Sequence, residues 1–174
     1  TVIVTVKPLP FINSVTATPT TVCAGTNVTL NGTTSTASSQ TIQVGSGTGT
    51  VGTTTAVGAL YGGYWGNGHA QVLFRASELT ALGFLPGNLT GLSIDISSLP
   101  TSPAVSTYNN YTIKIGSTSA TAITTFQSPT FTTVFGPTSY TPVVGNNVHP
   151  FSTPFNWDGV SNIIVDYCFS NQVT

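Results

Sequence analysis

Charge is what this chain lacks most. Its 174 residues hold three cations (Lys7, Arg75 and Lys114) and four anions (Glu78, Asp95, Asp158 and Asp166). Charged residues make up 4% of the sequence, against about a quarter in an ordinary globular domain. A formal charge of −1 gives no handle for nucleic acid, which demands a basic surface, or for an anionic membrane. No apolar run approaches the roughly 20 residues needed to span a bilayer. Methionine is absent and cysteine occurs twice, as Cys23 and Cys168. With Thr1 first and no signal peptide, the sequence reads as an excised or processed piece.

Hydroxyls and amides stand where charge would be. There are 33 Thr and 18 Ser, and nine Phe, six Tyr and two Trp give the chain enough apolar surface for a core. That combination argues against disorder. A surface of Thr, Ser and Asn with almost no Lys or Glu reads as extracellular, where a disulfide is permitted.

The dominant period is two. Thr1 to Val6 alternates Thr with Val or Ile, and Gln40 to Val44 alternates as well. Further β-branched or aromatic runs lie at Val15–Thr18, Val28–Leu30, Val72–Phe74, Leu92–Ile96, Tyr111–Ile115, Phe131–Phe135, Val148–Phe151 and Ile163–Phe169, punctuated by Gly, Pro, Asn and Ser. The pattern predicts an all-β protein, an antiparallel β-sandwich of immunoglobulin-like or jelly-roll-like type. At most one short helix fits, near residues 76–82, where Leu79 and Leu82 are three apart, Glu78 lies early and Gly83 supplies a stop. Residues 1–10 read as a terminal strand and stiff Lys7-Pro8-Leu9-Pro10 connector of a preceding repeat, or as a donor strand. Residues 11–174 read as the sandwich unit, with 11–39 a possible separate immunoglobulin-like start.

Two passages resemble a known family. One is Val4-Thr5-Val6-Lys7-Pro8-Leu9-Pro10, followed by Val22-Cys23-Ala24-Gly25-Thr26-Asn27-Val28-Thr29-Leu30. It resembles the junction between immunoglobulin-like repeats in very large secreted surface adhesins of Bacteroidetes. The other contains Tyr61-Gly62-Gly63-Tyr64-Trp65-Gly66-Asn67-Gly68-His69, Tyr111-Thr112-Ile113-Lys114-Ile115-Gly116 and Asn156-Trp157-Asp158-Gly159, and ends with Asn162 to Phe169. It is similar to a β-sandwich module of the same type IX-secreted, gliding-adhesin-like proteins. The resemblance implies a non-catalytic structural or adhesive repeat at the cell surface, whose partners are neighbouring copies or repeats. It implies no catalytic residues and no cofactor.

Candidate sites are few. Tyr61, Tyr64, Trp65 and His69 sit among Gly58, Gly62, Gly63, Gly66 and Gly68, which let backbone approach closely. Bare rings there would suit stacking against a surface glycan; packed rings would simply fill the core. His69 and His149 lack neighbours at metal-ligand spacing, and four scattered acids make a poor calcium cage. No carboxylate pair or nucleophile setting points to catalysis. Asp158-Gly159 reads as a tight turn, with Trp157 in the core. Cys23 paired with Cys168 would close a loop of about 145 residues, worth roughly 4 to 5 kcal/mol of chain entropy; Cys168 could instead pair outside the segment. Val2, Val4 and Val6 line a strand able to pair in its own chain or to add to a neighbouring copy, in the donor-strand mode.

Overall fold

The computed structural model describes residues 2–8, 12–18, 20–21, 27–34, 39–45, 60–61, 65–99 and 106–171; for 2–8, 12–13 and 33–34 it describes the backbone alone. Among the described residues, ten strands and one helix follow in the order β1 (Val2–Pro8), β2 (Ile12–Thr18), β3 (Thr29–Thr34), β4 (Gln40–Val44), β5 (Asn67–Phe74), α1 (Ala76–Ala81), β6 (Gly87–Ile96), β7 (Tyr108–Thr118), β8 (Thr132–Tyr140), β9 (Gly145–Trp157) and β10 (Asn162–Ser170). The expected all-β sandwich with one short helix is present. One four-stranded sheet runs β4-β1-β6-β9 and the other β5-β10-β7-β8, with every pairing antiparallel.

Alternation decides what lies between the sheets. Odd positions of β7 and β10 (Tyr111, Ile113 and Ile115; Ile163, Val165, Tyr167 and Phe169) face Leu92 and Ile94 of β6 and Phe155 and Trp157 of β9. Leu79 of α1 and Phe84 close one end, with Phe84 edge-on to Trp157 at 6.1 Å. Helix α1 is short because Gly83 (φ +86°) ends it, its N–H bonding Thr80 O at 2.9 Å. The Arg75 amide donates to Glu78 Oε2 at 3.3 Å, and the Ala76 amide to Asn162 Oδ1 at 2.8 Å.

Three features depart from the expected layout. Strand β1 is interior: it pairs with β4 from Val2↔Val44 to Val6↔Gln40 and with β6 from Val2↔Ile94 to Pro8↔Gly87. The strand that the sequence reads as the tail of a preceding repeat or as a donor strand is thus paired inside this sandwich. Strands β2 and β3 form a hairpin that belongs to neither large sheet. Finally, β8 and β9 run well past the predicted Phe131–Phe135 and Val148–Phe151, through Pro137, Pro150 and Pro154. Both lie at a sheet edge, where strands pair on one side only and an N–H on the open side can be missing without loss of a ladder bond.

Candidate functional site

Titratable and amide groups gather on the outer face of β5, β10 and β7. Register places Cys168 opposite His69 and Thr112, and Asp166 opposite Gln71 and Lys114. Asp166 is 4% exposed although it faces away from the core. Its Oδ2 accepts from His69 Nε2 at 2.7 Å and from Gln71 Nε2 at 2.8 Å. A buried carboxylate is tolerated only with such partners.

The burial comes from the segment after β7. Gln71 Nε2 donates to Gln127 O and the Gln127 amide donates to Gln71 Oε1, both at 2.8 Å. Phe126 lies flat on His69, with centroids 4.2 Å apart and ring planes 5° apart. Arg75 Nε bonds Thr121 O at 2.9 Å, and Asn162 Nδ2 bonds Ala120 O at 2.8 Å. Residues 120–127 are thus strapped across the sheet, and Ile164 beneath is fully buried. Burial, the largest influence, pushes the Cys168 thiol up, disfavouring the thiolate that nucleophilic chemistry requires.

A second cluster fills one end of the interior. Tyr61 stacks with Tyr108, Tyr111, Tyr140 and His149, centroids 5.8 to 6.2 Å apart. Its hydroxyl lies 2.5 Å from His149 Nε2, and its carbonyl accepts from Tyr108 Oη at 2.9 Å. Asn147 holds the neighbouring turn, accepting from Tyr140 Oη at 3.0 Å and the Val143 amide at 2.9 Å, and donating to Val143 O at 2.7 Å. Desolvation raises the Tyr61 hydroxyl far above its ordinary range and lowers His149 to about 4.

The residues singled out in the sequence are therefore dispersed. Tyr61 packs between the sheets, whereas His69 lies on the outer face of one of them, so these two share no surface. Trp65 is 68% exposed. Tyr64 and Cys23 lie outside the described residues, and Cys168 carries a free thiol. Val2, Val4 and Val6 lie on β1, paired within the chain. Asp158 and Gly159 form the expected turn: Asp158 Oδ1 accepts the Val160 and Ser161 amides at 2.9 and 2.7 Å, and Gly159 has φ +82°. Sequence reasoning missed Gln71, Phe126, Gln127 and Asp166 as a group. One signal was available, an acid inside the otherwise apolar run Ile163–Phe169.

No family model, curated protein or solved structure matches the chain.

Proposed function

We propose that this chain is a non-catalytic structural and adhesive module of an extracellular surface protein. The observation that supports this best is the chemistry of its edge strands. Exposed positions of the edge strands β4, β5, β8 and β9 are Thr41, Gln43, Asn67, His69, Thr133, Pro137, Thr138, Ser139, Asn146, Val148, Pro150, Ser152, Thr153, Pro154 and Asn156; none is Lys, Arg, Asp or Glu, and the one titratable group, His69, is paired with Asp166. Contacts made by such surfaces rest on hydrogen bonds and apolar area, and salt screens them little. The carboxylate–imidazole pair fits a structural role, because it fastens a strap. Beads coated with the chain should be retained on solid surfaces under flow, equally at low and high salt. Retention no better than uncoated beads defeats the adhesive reading. Turnover of any ester, glycoside or peptide in a hydrolase screen defeats the non-catalytic one.

A second reading is glycan binding. It is favoured by the exposure of the Trp65 side chain and of Phe126, which lies over His69. On a glycan array it predicts signals that Trp65→Ala or Phe126→Ala abolishes; an array without signal removes it.

A further inference from the structure

We infer that β1 is an exchangeable strand: in assembly, Val2–Pro8 of one copy occupies the slot between β4 and β6 of a second copy. This goes beyond the structural and adhesive reading, since a module can serve that role as a monomer.

Strand order carries the inference. Strand β1 is the first in sequence yet sits inside a sheet, hydrogen-bonded to β4 on one side and β6 on the other. Among the described strands, β4 joins its sheet through β1 alone. Withdrawing β1 would leave the backbone of β6 open from Gly87 to Ile94 and detach β4. The slot accepts this sequence, as the chain's own pairing demonstrates, and a second copy offers the identical strand. Exchange would therefore restore every interstrand bond in both copies.

The link makes exchange feasible. Between β1 and β4 the described strands are β2 and β3, which pair with each other and with neither large sheet. Moving β1 to another copy carries β2 and β3 with it and, among the described strands, breaks no pairing of the sandwich beyond those that the partner's β1 replaces. Pro8 fixes its own φ and biases Lys7 toward extended backbone, which suits a strand leading away from its own domain.

Two of the four edges of the large sheets are blunted: plain edge-to-edge addition is hindered at β8 by Pro137 and at β9 by Pro150 and Pro154, each lacking a donor, whereas the outer edges of β4 and β5 carry no proline. The interior slot has no such obstacle: β6 and β4 contain no proline, and the β1–β6 pairing shifts register once, between Thr5 and Val6 of β1. Strand β1 itself is free of proline until its last residue.

Thr5 and Thr41 are register partners, and Thr41 is exposed. Directly opposed residues of an antiparallel pair lie within disulfide-forming reach. The test is made in the full chain with Cys23→Ser and Cys168→Ser as background. One variant carries Thr5→Cys and another Thr41→Cys; the two are refolded together and oxidised. Exchange predicts a covalent species of twice the chain mass, mapped to a bond between the two introduced thiols, in a yield that rises with protein concentration during refolding. No such bond between the single variants, while a chain carrying both substitutions closes it internally, overturns the proposal. If the variants fold poorly, the wild-type chain decides by light scattering after refolding over a range of concentrations. Multimers that persist on dilution support exchange, and a monomer throughout overturns it.

Discussion

The hydroxyl of Tyr61 lies 2.5 Å from Nε2 of His149, 88 positions away, and the imidazole is fully buried. His149 Nδ1 has no partner among the described residues. Burial therefore favours the neutral ring, which shares one hydrogen bond with the Tyr61 hydroxyl through Nε2, and it lowers the His149 pKa to about 4. The unfolded chain titrates at the ordinary value near 6.5. The stabilisation is complete above pH 6.5 and is lost as pH falls toward 4. The total is on the order of 3 kcal/mol. Urea unfolding at pH 7, 5.5 and 4.5 should show that decline, and His149→Gln should flatten it. Equal slopes in the two proteins would refute this account.

Tyr61→Phe keeps the ring among Tyr108, Tyr111 and Tyr140 but strips the hydroxyl from His149. The expected loss is about 1 to 2 kcal/mol in denaturant unfolding, from a buried ring nitrogen left unpaired. A neutral result would place water, rather than Tyr61, as the partner of that nitrogen.

Trp157 is 1% exposed, packs edge-on against Phe84 and donates its indole N–H to Ser161 O at 2.8 Å. Trp157→Ala should cost about 3 to 5 kcal/mol through the cavity it leaves. Trp157→Phe retains much of the volume and should cost less. Thermal melts of the two variants, ranked in the opposite order, would contradict this packing.

Two glycines at positive φ separate backbone strain from crowding. At Gly159 (φ +82°) an added Cβ would meet Pro86 Cγ at 2.5 Å, whereas at Gly45 (φ +94°) it meets nothing within 4 Å. Gly45→Ala should cost about 1 kcal/mol, the conformational penalty alone. Gly159→Ala should cost clearly more, because a proline ring cannot swing aside. Equal midpoints in urea would count against the close approach.

Gln71 bonds Asp166 and both backbone groups of Gln127. Gln71→Ala should loosen the strap over Ile164 and speed amide exchange at Gln127 by at least tenfold, the effect of losing roughly 1.4 kcal/mol of local protection. Exchange at Ile113 and Val165, deep in the sheets, should change much less. Unaltered exchange at Gln127 would mean that Arg75 and Asn162 hold the strap unaided.

Much of the architecture was legible because it is local. Alternation marked the strands, including Gln40–Val44, and Leu79, Glu78 and Gly83 marked the helix. Asp158-Gly159 declared a turn because Asp can bond amides two and three residues on, and glycine tolerates positive φ. Strand lengths were less legible. Pro137, Pro150 and Pro154 look like breakers until β8 and β9 are known to be edges.

The sequence by itself determined the class of the fold, the inward face of strands that alternate, such as β7, and the neutral character of the surface, since period and composition set these before any strand meets another. Tertiary structure alone decided the rest. It put β1 between β4 and β6, turned Tyr61 inward onto His149 and joined His69, Gln71 and Asp166 under Phe126. The reason is physical: a strand's period records which of its faces is apolar, but not which backbone will pair with its edges. Residues 88 or 97 positions apart meet only once the order of strands in the sheets is fixed.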